Sequence, residues 1–270
     1  MAEQAFEMAF KSAEEIVGAC TVEKSYDCGV CETSFKARVS RSTKLRFSST
    51  DADLHPNFNP MDPMLYDVII CPHCGYASMT MYWNKLTELQ IKSLNEIFEI
   101  SKNPPMFGKV VGFREAMEKY KRALLSSVVK GAKHSEQGYV CLKLAWLNRL
   151  VNNNRGYILF ISKALRHLEK AYTQENFPIC TMDEPTLGYL LAYCNYYLYH
   201  YDEALRWLGK ILPTAELPQR LRDKALDLKE SIKAHQAEES AGKGDIDKQL
   251  MDEFEKVKGS ERDMIDEIIL

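Results

Sequence analysis

The sequence predicts an α+β protein, mostly α. Three observations predict it. Two Cys-x-x-Cys pairs lie in a stretch where apolar residues alternate with the period of a strand; helical periodicity takes over from about Asn84; and within the helical part an alanine recurs in a repeated apolar pattern.

The pairs are Cys28-Gly29-Val30-Cys31 and Cys71-Pro72-His73-Cys74-Gly75, with 39 residues between them. Two intervening residues let a tight turn aim both sulfurs at one point, and two such turns facing each other make the four-thiolate shell of a zinc ribbon. Gly29 and Gly75 suit these turns because glycine accepts positive φ without a Cβ clash. Residues 20–83 are therefore expected to be a zinc-ribbon-like domain. It is too small to bury a self-sufficient core, so one structural zinc on Cys28, Cys31, Cys71 and Cys74 would supply folding free energy. Iron fits the same ligand set.

A disulfide framework fits poorly, since Met1 to Cys20 carries Glu3, Glu7, Glu14 and Glu15 where a secretory signal needs basic and then unbroken apolar residues. A thioredoxin-like redox pair needs one Cys-x-x-Cys at a helix start beside a βαβ unit, and Asp27 next to Cys28 opposes a thiolate. Of the other cysteines, Cys141 and Cys194 sit among apolar residues of predicted helices and read as small buried hydrophobes. Cys20 and Cys180 carry no paired spacing.

Ahead of the ribbon, residues 1–19 form a predicted helix with Phe6, Phe10, Ala13 and Val17 on one face. After Cys31, Phe35 to Val39 and Lys44 to Phe47 alternate as strands, and Lys36, Arg38, Lys44 and Arg46 are expected on one face. Such a basic stripe is a candidate contact for nucleic-acid phosphates, or simply an offset to the −2 charge of a zinc held by four thiolates. No aromatic residue interleaves the cations to stack on bases. Residues 48–64 read as a loop broken by Pro56, Pro60 and Pro63, and Asp51, Asp53 and His55 read as a solvated turn rather than a second metal site. Tyr66 to Ile70 reads as the strand that delivers Cys71.

Residues 84–238 read as a tetratricopeptide-like helical domain. Its first helix carries Leu86, Leu89, Leu94, Ile97 and Phe98, opens on a Thr87/Gln90 capping box and ends at Asn103-Pro104-Pro105. Then Phe113, Ala116, Tyr120 and Ala123 share their spacing with Ile161, Ala164, Leu168 and Ala171, and with Tyr201, Ala204, Leu208 and Ile211. The alanines recur 48 and then 40 residues apart, beyond the standard tetratricopeptide period of about 34. Helices through Tyr139 to Leu150 and Leu187 to Leu198 precede the later two. A charged helix over 218–238 caps the array. Residues 239–270 read as a flexible linker, Ser240 to Gly244, and an amphipathic tail through Leu250, Phe254, Val257, Ile265, Ile268 and Ile269.

Hydrophobic residues at 46%, charged residues at 27% and a net charge of −3 give no global attraction to nucleic acid or anionic membrane. No apolar run has the length of a membrane span, so a cytoplasmic setting with reduced thiols is expected.

Four stretches carry a family resemblance: Tyr66-Asp67-Val68-Ile69-Ile70-Cys71-Pro72-His73-Cys74-Gly75-Tyr76-Ala77, Cys141-Leu142-Lys143-Leu144-Ala145-Trp146, Asn176-Phe177-Pro178-Ile179-Cys180 with Met182-Asp183, and Tyr201-Asp202-Glu203-Ala204-Leu205-Arg206-Trp207. Over roughly residues 25–235 the chain resembles the bacterial family called domain of unknown function 2225. The resemblance implies a zinc-ribbon-like start, tetratricopeptide-like helices and a cytoplasmic protein, and it implies no activity. Asp62-Pro63 replaces a frequent Asn-Pro, and Tyr199-His200 replaces a glycine-containing turn.

Function is expected to be that of an adaptor binding a protein or peptide in the groove of its helical repeat. Tyr189, Asn195 and Tyr196 are the candidate partner-binding residues, because their spacing sets them away from the stripe of Leu187, Leu191, Cys194 and Leu198. The second reading is a nucleic-acid-binding ribbon, and the third a thiol/zinc redox sensor. No catalytic residue is assigned, since no HExxH, phosphate-loop or GxSxG pattern occurs.

Overall fold

A computed structural model describes residues 12–83, 85–98, 104, 106–215 and 217–240. Phe6, Phe10, Asn103, Pro105, the linker from residue 241 and the apolar tail residues lie outside that set. The chain forms two compact units. The first combines Met1–Thr50 with Pro56–Ala132, and the second combines Asp51–His55 with Lys133–Leu270. No described helix is long and apolar enough to cross a membrane.

The first unit begins with helix α1 (residues 12–20), followed by the strands β1 (Thr21–Asp27), β2 (Ser34–Ser40), β3 (Arg46–Thr50), β4 (Pro56–Asn59), β5 (Val68–Ile70) and β6 (Ala77–Met79), then α2 (Glu88–Phe98) and α3 (Phe113–Val129). The strands pair as three antiparallel hairpins, β1-β2, β3-β4 and β5-β6. In the first, Tyr26 lies opposite Phe35 and Val22 opposite Val39, which gathers the apolar residues on one face. Glu23 lies opposite Arg38 and Ser25 opposite Lys36 on the other. β4 was not expected. Pro56 is its first residue, a position where proline removes no needed ladder donor.

A two-stranded hairpin cannot bury its own apolar face. Helices α2 and α3 do this for the cysteine-bearing hairpins: α3 packs on β5 and β6, and α2 on α3. Ala77 donates its N–H to Ser126 Oγ at 3.2 Å, and Tyr120 donates its hydroxyl to the Met64 carbonyl. The capping box at Thr87 is present, with Thr87 and Gln90 exchanging side-chain and backbone bonds at 3.1 and 3.4 Å. Leu94 is fully buried, whereas Leu89 stands exposed. The change to helical period at residue 84 is therefore not where the two units part, because the first two long helices complete the core of the strands.

In the second unit α4 (His134–Leu150) packs on α5 (Asn154–Gln174), α6 (Glu184–Tyr197) on α7 (Tyr201–Ile211), and α8 (Gln219–Ser240) on α6 and α7. Ala164 and Ala204 are fully buried on α5 and α7, as is the matching alanine of α3, Ala116, in the first unit. Close approach is set from the facing helices too. A Cβ on Gly138 would meet Leu168 at 2.9 Å, and one on Gly188 would meet Ile211 at 2.6 Å.

Three helices stop in the same way. The residue two past the helix adopts left-handed φ and bonds back to the helix, in the Schellman arrangement. After α3 it is Gly131 (φ 60), after α4 Asn152 (φ 56), and after α6 Tyr199 (φ 62). At α6, Tyr199 donates its N–H to Tyr196 and His200 donates to Asn195. Glycine and asparagine are ordinary at this position; tyrosine is not.

Candidate functional site

The two Cys-x-x-Cys turns are the tips of hairpins β1-β2 and β5-β6, and they are built alike. At the first, the Glu32 N–H bonds the Cys28 carbonyl (2.9 Å) and Cys28 N–H bonds Thr33; at the second, the Gly75 N–H bonds the Cys71 carbonyl (3.0 Å) and Cys71 N–H bonds Tyr76. The residue four past each leading cysteine has positive φ, 58° at Glu32 and 81° at Gly75. Gly29, expected to supply this conformation, is not among the residues with positive φ. A Cβ there would meet the Leu86 side chain at 3.4 Å, an ordinary contact distance, so neither backbone conformation nor space demands glycine at this position.

The four sulfurs meet. Cys28 Sγ lies 3.6 Å from Cys74 Sγ, Cys31 Sγ lies 3.6 Å from Cys71 Sγ, and all four fall within 4.8 Å of one another. Tetrahedral sulfurs about 2.3 Å from a metal ion stand about 3.8 Å apart, so the cluster has the dimensions of a tetrathiolate site. Disulfides are absent from it. The turns also aim backbone N–H groups at the sulfurs: Cys31 and Val30 at Cys28, Cys74 and His73 at Cys71, and Tyr76 at Cys74. Without a cation the cluster cannot ionise fully. Cys71 is driven down by the thiols of Cys28 and Cys74 that donate to it, while Cys28, bonded to Cys71, is pushed up to about 12, and Cys74 is also raised by Cys28 and Cys71. A divalent ion resolves this crowding. These four residues can hold a metal ion.

Around the thiols lie Val30, Phe35, Tyr76 and Leu94, with Trp83 in edge contact with Tyr26 and Phe35. Cys28 and Cys71 are buried; Cys31 and Cys74 are half-buried. Cys20 is buried elsewhere, its Sγ directed at the Lys44 carbonyl.

The basic stripe does not form one strand face. Lys36 and Arg38 share β2, Lys44 lies in a short 3-10 turn, and Arg46 lies on β3, in another sheet. Arg38 is engaged by its cross-strand neighbour Glu23 at 3.0 Å and by Thr21 Oγ1 at 3.0 Å.

In the second unit, Asp51 to His55 is not a solvated turn. Asp53 and His55 are buried. Asp53 accepts from the Tyr157 hydroxyl (3.0 Å) and pairs with Arg149 Nε (2.9 Å), and its carbonyl accepts from Trp146 Nε1. Arg149 also pairs with Asp51 at 2.6 Å, and Tyr189 donates to the Ala52 carbonyl at 2.8 Å. Residues of α4, α5 and α6 thus grip this segment, which covers the side of α4 and α6 where an open groove was expected. Burial, and then Asp53 beside it, hold the Tyr157 hydroxyl far above the usual phenol range, so it remains a donor.

Two of the three proposed partner residues are consequently interior. Tyr189 is 1% exposed, and Asn195 is 2% exposed with its amide donated to the Leu191 carbonyl. Helical spacing placed them off the leucine stripe, but α6 is covered on more than one side. Tyr196 remains half-buried and lines a cavity of ≈ 130 Å³ together with Ile158, Tyr197, Tyr199, Tyr201 and His235. Its hydroxyl is 3.3 Å from His235 Nδ1, which is 2.9 Å from the Ser231 carbonyl and so carries a proton. The sequence reading assigned no role to Tyr197 and noted Tyr199 only in the Tyr199-His200 pair that replaces a glycine-containing turn. The available signal was the run Tyr196, Tyr197, Tyr199, Tyr201 across a helix end, where a turn of the chain brings rings together.

A family model described as an uncharacterized protein conserved in bacteria (DUF2225) matches residues 21–232. No curated protein and no solved structure matches the chain.

Proposed function

Since the chain belongs to that bacterial family, whose description names no activity, we propose from the geometry that it is a zinc-stabilised binding protein of the cytoplasm, an adaptor with no reaction of its own. The observation that carries this reading is the closed cage of four sulfurs. Four thiolates saturate a tetrahedral zinc and leave no position for a substrate or an activated water, so the metal would hold the two hairpin tips together rather than act on anything. Partner binding falls to the helical unit, whose repeated hairpins resemble tetratricopeptide pairs in pattern, and within it to the tyrosine-lined cavity instead of the face covered by Asp51 to His55.

The nucleic-acid reading is weakened by the dispersal of the basic residues and by the Arg38–Glu23 pair. A redox role draws support from the half-exposed Cys31 and Cys74, but closed thiolate zinc sites serve structure more often than sensing.

Elemental analysis of the purified protein is expected to find one zinc per chain, and the Cys71→Ser plus Cys74→Ser double variant is expected to lose it. Full zinc content in that variant, or iron in place of zinc, overturns the assignment. Affinity capture with and without nuclease separates the two binding readings: protein partners that persist after nuclease favour the adaptor.

A further inference from the structure

The tyrosine-lined cavity lies where α5 and α7 start; where they end, a different aromatic cluster already holds a cation. Tyr172, in the last turn of α5, meets Trp207 of α7 edge to face at 4.8 Å between centroids and Phe177 of the following loop at 5.4 Å. The Lys210 ammonium lies 4.2 Å from the centre of the Tyr172 ring and 5.5 Å from that of Trp207. We propose that this corner seats a lysine side chain of a partner peptide, and that Lys210 stands in for that lysine in the free protein. Such a seat extends the binding role proposed for the helical unit and rests on it.

The local field suits a cation. Tyr172 stands in the last turn of α5 and Lys210 in the last turn of α7, so the negative ends of two helix dipoles face the corner. α6 starts there with the opposite sign, but Asp183 caps it and Glu184 stands in its first turn. Glu184 Oε1 accepts the Tyr172 hydroxyl and lies 3.8 Å from Lys210 Nζ, while Trp207 donates its indole N–H to Glu169, which fixes the plane of its ring. Ring faces carry the negative lobe of the aromatic quadrupole, strongest in tryptophan. A lysine suits the corner better than a quaternary ammonium, because Glu184 at the rim accepts an N–H that a quaternary ion lacks. Lys210 itself is held loosely. Its side chain is 52% exposed and its distance to Glu184 is beyond hydrogen-bond range, so leaving the rings for water costs it little. The three rings are half-buried and open to a replacement.

Backbone conformation in the loop from α5 to α6 supports the same assignment. Ile179 and Met182 exchange both backbone bonds, at 3.0 and 2.8 Å, around a two-residue turn whose central residues are left-handed, Cys180 at φ 51 and Thr181 at φ 66. Asparagine-glycine is the ordinary pair in such a turn, and a β-branched threonine there is an outlier. Cys180 Sγ anchors it by donating to the Ser135 carbonyl at 3.2 Å. Strain of this kind persists where a loop is needed in one shape. This loop sets Phe177 against Tyr172 before the turn and brings Glu184 to the Tyr172 hydroxyl after it.

The test titrates the full chain, and its Lys210→Met variant, with an end-blocked ten-residue glycine-serine peptide bearing one central lysine. The same peptide bearing norleucine keeps the aliphatic stem and lacks the ammonium. The indole N–H resonance of Trp207 reports occupancy. Lys210→Met is expected to bind the lysine peptide about fivefold or more tightly than the norleucine one. Wild type should bind the lysine peptide about threefold more weakly than Lys210→Met does, because its tethered ammonium competes for the seat. In the Lys210→Met background, Tyr172→Phe keeps the ring face and should retain most of the binding, whereas Tyr172→Leu should weaken it about fivefold; rescue by phenylalanine separates a lost face from a lost fold. Equal affinity for lysine and norleucine overturns the proposal, as does lysine binding that does not tighten in Lys210→Met. If neither peptide shifts the indole while protein partners are still captured after nuclease, only this inference falls and the adaptor role stands.

Discussion

His134 and His167 face each other with their Nδ1 atoms 3.1 Å apart, a distance at which one of the two must stay neutral. Burial first, then the charges of His134, Arg166, Lys170 and Lys163, lower His167 to about 4. A histidine depressed in the folded state is protonated earlier in the unfolded chain, whose value is near 6.5. Stability is therefore full above about pH 6.5 and falls as pH drops toward 4, by about 2 kcal/mol once partial solvent screening is allowed for. Urea unfolding at a series of pH values should show that loss in the wild type and much less of it in His167→Gln; an equal loss in both removes His167 as the cause. Single residues were legible in the sequence where spacing alone decides their role, as with the four cysteines. They were not legible where backbone conformation decides. Glycine at Gly29 reads as a turn former, yet the left-handed position of that turn is held by Glu32.

Among the elements, the segment between β3 and β4 departs furthest from its sequence pattern. Polar residues and prolines mark Asp51 to His55 as solvated, and its partners Arg149, Tyr157 and Tyr189 are about a hundred residues or more away, beyond the reach of any local pattern. Helix type and extent depend on periodicity and were legible for α2 to α8; which side of α4 and α6 stays open depends on this distant segment and was not. Asp53 is the centre of the arrangement, with its carboxylate taking bonds from Tyr157, the His55 N–H and Arg149. Replacing one member of a buried charged network leaves its partners unsatisfied, so Asp53→Asn should cost about 2–4 kcal/mol. Denaturant unfolding followed by helical circular dichroism measures it. Adding Arg149→Met should cost less than the sum of the single changes, because the two side chains share one network; strict additivity would show that they act independently.

For the whole molecule, the decisive fact is that the cysteine hairpins and helices α2 and α3 share one core while α4 to α8 build another. Periodicity drew the line at residue 84, where strand period gives way to helical period, but cores are drawn by what each apolar face needs to bury. A two-stranded hairpin needs outside cover, and α3 gives it to β5-β6 through Ser126, while Tyr120 bonds the Met64 carbonyl in the turn before β5. If zinc fills the four-thiolate site as proposed, removing it with a chelator should then unfold more than a ribbon. The first unit would lose its strands together with α2 and α3, and the helical signal would drop by the minor share that these helices contribute. The second unit has its own apolar core through Ala192, Ala204, Leu208, Ala225 and Ile232, and should keep its helices. Hydrogen exchange during chelation gives the readout by residue: amides of Phe113 to Val129 should lose protection along with those of β1 and β2, while amides of α5 and α7 keep theirs. If α3 stays protected once the metal is gone, its packing on β5 and β6 does not depend on the tetrathiolate site, and the zinc stabilises only the two hairpin tips.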